Sequence, residues 1–166
     1  SCTQRVRCWY DDGEKEPMKT EQLRTLQTLR VLREQRAASQ LAAQQQRCAQ
    51  THGALSDAKE QLRLHREAVA REAGEIYASL TEGLSVASWQ AAQDRLRGLS
   101  DAEQLLEGDI SQVSGTLQTQ ERERDLFRQE RLNRQRQSDA WQSLLDGREN
   151  SERVAGELRE EQGLGT

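Results

Sequence analysis

The stretch between Ser85 and Leu117 contains the most regular hydrophobic pattern in the chain. From Trp89 onward, alternating steps of three and four residues fall almost always on an apolar side chain. These positions are Trp89, Ala92, Leu96, Leu99, Glu103, Leu106, Ile110, Val113 and Leu117. A repeat averaging about 3.5 residues is typical of a coiled-coil seam. One helix cannot bury such a stripe alone, so the pattern predicts a partner helix.

An earlier repeat of seven residues predicts that partner helix. It consists of Leu41, Cys48, Leu55, Leu62, Val69 and Ile76. Few β-branched residues and no proline follow Thr20, so we expect a first helix over about residues 20–81. Residues 82–87 break the pattern, with Gly83 suited to a helix end and Ser85 or Ser88 to an N-cap. The second helix is expected over about residues 88–161.

Folding the chain back at Gly83 brings the two repeats together. The predicted pairs are Ile76 with Ala92, Val69 with Leu99, Leu62 with Leu106, Leu55 with Val113, Cys48 with Gln120 and Leu41 with Phe127. The two residue numbers of every pair have the same sum, and half of that sum falls within the predicted turn. Charge agrees, because residues 19–47 are mainly basic and residues 139–162 mainly acidic. The sequence therefore predicts an all-α fold, a long antiparallel two-helix coiled-coil hairpin of about 90 to 110 Å.

The predicted seam is weakest between Gln120 and Ser138. Its positions there are Gln120, Arg124, Phe127, Arg131, Arg134 and Ser138, of which only Phe127 is a large apolar residue. Trp141, Leu144 and Leu145 then restore its apolar character. We expect loose helix pairing in this stretch, with flexibility or a surface completed by another protein.

The first 17 residues lack a helical period and end in the only proline, directly before the only methionine, Met18. We interpret Met18 as the native start. Residues 1–17 are then a flexible extension or a translated leader, with a cloning remnant as the alternative. Residues 18–166 are expected to form a single helical hairpin.

Composition narrows the classes of function. Apolar residues make up 34%, aromatic residues 4% and charged residues 31% of the chain, which is typical of a long helix and disfavours a broad enclosed active site. The net charge of −4 does not by itself indicate binding to nucleic acid or to an anionic membrane. Three cysteines give no disulfide framework, and no apolar run approaches a membrane span, so we expect a protein of the reducing cytoplasm.

No pattern indicates catalysis or a bound cofactor. The sequence lacks a glycine-rich phosphate loop, a nucleophile elbow and clustered metal-ligand motifs. Cys48 and His52 have a spacing that can hold a metal, but Cys48 is more simply a small seam residue. His65 has no evident nucleophile or metal partner. The arginine-rich run at residues 121–136 contains interleaved acids and no aromatic platform, which favours a solvated helix face over a nucleic-acid patch. We expect no enzyme activity, cofactor or metal.

Two segments carry a resemblance to a known family. The basic, leucine-rich start at residues 23–37, LRTLQTLRVLREQRA, resembles the type III secretion central-stalk proteins of the YscO and FliJ type. The second helix is similar as well, since it opens at Trp89-Gln90 and continues through Leu96, Leu99, Glu103 and Leu106. The likeness covers about residues 18–161. It implies a hairpin similar to the central stalk of rotary ATPases, located in the pore of the hexameric secretion ATPase and reaching the cytoplasmic ring of the export gate.

The resemblance also implies two binding surfaces. The end with both termini would enter the ATPase ring and bind it through Arg24, Arg30, Arg33, Arg36, Trp141 and Leu145. The turn would approach the export gate through Ile76, Tyr77, Leu80, Leu84 and Trp89. Secretion chaperones are a further implied partner. The protein would be cytoplasmic, peripheral at the inner-membrane secretion apparatus, without direct membrane insertion, and a monomer when isolated.

Two other classes remain open at this point. A generic homodimeric coiled-coil scaffold or adaptor would form concentration-dependent dimers. A helical protein that binds nucleic acid or chaperones would lose binding as salt rises. Our prediction is the non-enzymatic stalk, which couples the ATPase to the gate by asymmetric contact with successive ATPase subunits.

Overall fold

The computed structural model describes residues 18–83 and 85–164. They form two α-helices, α1 at Thr20–Thr81 and α2 at Val86–Leu164, which pack against each other with no strand in these ranges. The predicted all-α, antiparallel helical hairpin is confirmed. Helix α1 has the predicted bounds, whereas α2 begins two residues before and ends three residues after its predicted range. The predicted extension at residues 1–17 lies outside the described residues.

The connection between the helices depends on one glycine and one serine. Gly83 has a φ of +93°, and this left-handed conformation costs a residue with a Cβ atom about 1 to 2 kcal/mol. Its amide donates to the carbonyl of Leu80 over 3.4 Å. Ser85 is the N-cap of α2, because its Oγ accepts a hydrogen bond of 3.2 Å from the amide of Ser88. The structure thus selects Ser85 over Ser88 as the cap.

The chain divides into two compact units, each built from both helices. Unit 2 is Ala37–Arg131. Antiparallel packing in it is evident from an ion pair between Glu72 and Arg95 and from His65, whose Nε2 lies 2.9 Å from the carbonyl oxygen of Leu99. Its buried apolar residues are Ala37, Leu41, Cys48, Leu55, Leu62 and Leu117. Four of the six residues in the predicted repeat of α1 are therefore buried, and the other two, Val69 and Ile76, are half-buried.

A buried glutamine interrupts the apolar seam of unit 2. Gln44 is 0% exposed. Its Nε2 donates to the carbonyl oxygen of Gln120 at 2.9 Å and to Oε2 of Glu123 at 3.3 Å. Its Oε1 accepts a hydrogen bond of 3.2 Å from Nη1 of Arg47. These hydrogen bonds therefore link α1 to Gln120. Gln120 is the first residue of the stretch in which the sequence predicts few apolar seam contacts.

Unit 1 is Ser1–Arg36 with Leu132–Thr166, and its described residues have a small apolar core. Leu145 is buried, together with the polar residues Gln27 and Ser138. Nε2 of Gln27 donates to the carbonyl oxygen of Ser138 at 3.1 Å and to its Oγ at 3.3 Å. Arg24 forms an exposed ion pair of 2.9 Å with Glu149, as expected from the opposite charges of the two helices. Directional polar contacts therefore contribute much of the pairing in this unit.

Candidate partner-binding surfaces

The arginines predicted to bind an ATPase differ in their surroundings. Arg24 pairs with Glu149. Arg30 lies across Trp141, with its guanidinium carbon 4.6 Å from the ring centroid, and its Nη1 lies 3.5 Å from Oε1 of Gln137. These contacts hold both arginines against α2 within unit 1. They place Arg24 and Arg30 at the edges of the helix pair.

The other two predicted arginines are unengaged. Arg33 and Arg36 are exposed and form no hydrogen bond or ion pair with the residues that the structure describes. Because each helical residue advances about 100°, Arg36 lies roughly opposite the buried Gln27 around α1. Arg33 and Arg36 are therefore available to a partner without any rearrangement of unit 1.

The two predicted contact residues on α2 are mostly internal. Leu145 is buried, and Trp141 is half-buried beneath Arg30. In this layer Oε1 of Gln27 and Nε of Arg30 are buried without a hydrogen-bond partner among the described residues. A cation over a tryptophan face is worth about 0.5 to 2 kcal/mol, depending on its desolvation. Trp141 and Leu145 therefore stabilise helix pairing in this unit, whatever further role they have.

The surface around the turn is apolar and open. Tyr77 is 73% exposed, and Leu80 and Trp89 are exposed as well. Ile76 is half-buried, and Leu84 lies outside the described residues. Val86, the first residue of α2, adds an exposed apolar side chain that the sequence analysis did not single out. Exposed aromatic and apolar side chains so close together are typical of a protein contact surface.

The residues considered for metal binding do not form a ligand cluster. Among the described residues, no group of three or more His, Cys, Asp or Glu side chains is placed to hold a metal ion. Cys48 is a buried free thiol at a seam position. It shares a shallow groove with His52, Leu117 and Arg124. One ring nitrogen of His65, Nε2, contacts the backbone carbonyl of Leu99 on α2.

Ion pairs perturb the acidity of a few exposed groups in unit 2. A hydrogen bond from Arg63 lowers the pKa of Glu60, and the same contact raises the pKa of Arg63. Arg66 donates to Glu103 at 2.9 Å and to Glu107 at 3.0 Å, and these hydrogen bonds raise the pKa of its guanidinium. Each shift keeps the group in its ordinary charged state near neutral pH. The groups are therefore structural ion pairs rather than acids or bases poised for proton transfer.

Sequence reasoning missed two kinds of residue. The exposed Leu29 and Leu32 lie beside the unengaged arginines on α1, but they were read only as part of a leucine-rich start. Gln27 and Gln44 are buried, but their polarity gave no reason to place them in the seam. A helical projection of residues 27–44 could have shown that the two glutamines share a face with Leu41 and that Leu29 does not.

Comparisons with protein-family models, with curated proteins and with solved structures find no match to this chain. Neither helix, over the residues described, has a stretch with the length and apolar character needed to cross a membrane. Function is therefore inferred from the helical hairpin, its exposed surfaces and the resemblance in the sequence.

Proposed function

We propose that this chain is a non-enzymatic central stalk of a type III secretion system, which couples the hexameric ATPase to the export gate. The observation that supports it best is the antiparallel helical hairpin, the fold that the YscO and FliJ resemblance implies. In such a role the protein makes and breaks contacts instead of covalent bonds. Its location would be cytoplasmic, peripheral at the inner-membrane secretion apparatus, and secretion chaperones are a further proposed partner.

Two exposed surfaces are compatible with two partners. The N-terminal third of α1 presents Arg33 and Arg36, which have no partner among the described residues, and the turn presents Tyr77 and Trp89. We assign the basic surface to the ATPase and the aromatic surface to the gate, because a charged surface and an apolar surface bind different partners. Successive ATPase subunits would meet the same asymmetric helix pair in turn.

The test measures ATP hydrolysis by the cognate secretion ATPase with and without the full-length chain, and the chain's mass by light scattering. A monomer that stimulates hydrolysis supports the stalk. A stable dimer with no effect on the ATPase contradicts it and favours the homodimeric scaffold or adaptor instead.

A second pair of measurements separates the two surfaces. Tyr77→Ser with Trp89→Ser should weaken binding to the gate's cytoplasmic ring but leave ATPase stimulation unchanged. Leu64→Ser is the matched control, because Leu64 is exposed on α1 away from the turn. Loss of gate binding in the control to the same extent would contradict a specific role for the turn.

A further inference from the structure

One polar layer of unit 1 contains two buried atoms that form no hydrogen bond within the described residues. They are Oε1 of Gln27, which can only accept a hydrogen bond, and Nε of Arg30, whose N–H can only donate one. Gln27 is 6% exposed. Ser138, which accepts from its Nε2 across the helix pair, is 4% exposed. We call Gln27, Arg30, Ser138 and Trp141 the Gln27 layer.

The two unpaired atoms belong to neighbouring side chains of α1. Gln27 and Arg30 are three residues apart, a spacing that places their Cβ atoms about 5 to 6 Å from each other on a helix. A buried donor or acceptor without a partner is unfavourable, because the group has lost its hydrogen bonds to bulk water. Buried polar groups in native proteins are therefore nearly always paired, either within the protein or with ordered water. Both atoms of this layer need such a partner.

Unit 2 contains the same pair of residue types in a different arrangement. Gln44 and Arg47 have the same spacing on α1, and Nη1 of Arg47 donates directly to Oε1 of Gln44 over 3.2 Å. In the Gln27 layer the arginine is turned onto a tryptophan instead, with the guanidinium carbon of Arg30 4.6 Å from the ring centroid of Trp141. The contact with Trp141 thus takes the place of direct pairing between Arg30 and the glutamine.

We propose that the Gln27 layer is a binding site for one ordered water molecule, an inference that is independent of the proposed function. The water accepts a hydrogen bond from Nε of Arg30 and donates one to Oε1 of Gln27. Oγ of Ser138 lies 3.3 Å from Nε2 of Gln27 and has a second lone pair for the other proton of the water. Buried waters make about three hydrogen bonds on average, and these three groups supply that number.

The mixed character of the two atoms selects water over an ion. An anion would be attracted by the guanidinium of Arg30 but repelled by Oε1 of Gln27, which has only lone pairs to offer. A cation would be bound by that oxygen but repelled by the charge of the arginine. Water donates and accepts at once, so it satisfies both atoms. The bridge also holds Nε of Arg30 in place while the guanidinium lies over the Trp141 ring.

The experiment determines a crystal structure of the full-length chain at a resolution that shows ordered water. We expect one water molecule within hydrogen-bonding distance of both Nε of Arg30 and Oε1 of Gln27. In solution, a rotating-frame Overhauser cross-peak should join this water to the Nε–H of Arg30, and its sign distinguishes proximity from proton exchange. A direct hydrogen bond between the two side chains, or two atoms that share no water, would overturn the proposal.

Three variants extend the test to the residues that form the site. Gln27→Leu removes the acceptor and should abolish the water and its cross-peak. Trp141→Leu removes the ring that holds Arg30, so the arginine should pair directly with Gln27, as Arg47 does with its glutamine, and displace the water. Gln35→Leu is the matched control, because Gln35 is an exposed glutamine on α1 of the same unit, and it should retain the water.

The outcomes decide the inference even where a variant is destabilised. Circular dichroism verifies that each variant keeps the helical content of the wild type, and the wild-type structure alone can refute the site. Retention of the water in Gln27→Leu or in Trp141→Leu would count against the bridge. Its loss in the Gln35→Leu control would do the same.

Discussion

Replacing Gln44 by alanine should destabilise unit 2 more than the replacement of most polar residues in a structure of two helices. The side chain is fully buried and makes three hydrogen bonds. Two of these cross to α2, at the carbonyl of Gln120 and the carboxylate of Glu123. Alanine removes all three at once and leaves a gap in the seam.

The expected magnitude follows from those contacts. The one methylene group that alanine lacks, Cγ, contributes about 0.8 kcal/mol. The lost hydrogen bonds contribute about 1 to 2 kcal/mol in total, because the Glu123 and Arg47 groups are near the surface and can turn to water. Alanine returns a few tenths of a kcal/mol through its higher helix propensity. We expect Gln44→Ala to lower the free energy of unfolding by about 1.5 to 2.5 kcal/mol.

Urea unfolding followed by far-UV circular dichroism measures this change, with the m-value as the check that the unfolded reference has not altered. Gln46→Ala is the control, because Gln46 is an exposed glutamine on the same helix, and it should change stability by less than about 0.5 kcal/mol. Gln44→Leu loses the same hydrogen bonds but fills the seam with an apolar side chain of similar size, so it should cost less than Gln44→Ala. Equal effects of the two alanine substitutions would refute the reasoning.

Three further predictions concern the turn and the ion pairs. Gly83→Ala should cost about 1 to 2 kcal/mol in urea unfolding because of its φ of +93°, whereas Gly74→Ala, at a helical glycine with open space for a Cβ, should stabilise by about 0.5 to 1 kcal/mol. Ser85→Ala removes the N-cap of α2 and should cost about 1 kcal/mol in the same assay. The contact with Arg63 lowers the pKa of Glu60 from 4.5. The stabilising effect of this contact is therefore present above pH 4.5 and is lost as the pH falls through the lowered pKa of Glu60. Thermal unfolding of Glu60→Gln and wild type should therefore converge in acid.

The heptad positions of α1 could be predicted because burial in a helix pair depends mainly on angular position. Leu41, Cys48, Leu55 and Leu62 recur every seven residues and all four are buried. A side chain that returns to the same face at each second turn meets the partner helix each time. The turn could also be predicted, because a glycine with positive φ and a serine N-cap depend only on the backbone of a few neighbouring residues.

The polar seam could not be predicted in the same way. The main partners of Gln27 and Gln44 on α2 are backbone carbonyls of Ser138 and Gln120. Every residue has a carbonyl, so the sequence contains no complementary side chain to identify the contact. A glutamine at a seam position therefore looks like a weak point, although its hydrogen bonds across the seam give that position a defined geometry.

The predicted ATPase-binding set mixed residues from different faces for a related reason. The resemblance assigns this set by its position near one end of the hairpin, and its four arginines, Arg24, Arg30, Arg33 and Arg36, also share their charge. Steps of three and six residues rotate a side chain by different amounts around a helix. Arg30 therefore reaches the Trp141 ring while Arg36 faces outward. The charge of a residue gives no information about its angular position around the helix.

The polar seam also restricts the orientation of α1. Apolar contacts are non-directional, so a helix held only by leucines can rotate slightly with little loss of burial. The hydrogen bonds from Gln27 to Ser138 depend on angle and distance, and they restrict the rotation of α1 about its axis. Leu29 lies within one turn of Gln27, and Arg36 lies about two and a half turns after it, so this restriction fixes the direction in which both side chains point. The buried glutamine thereby orients the exposed leucine and arginine side chains of α1.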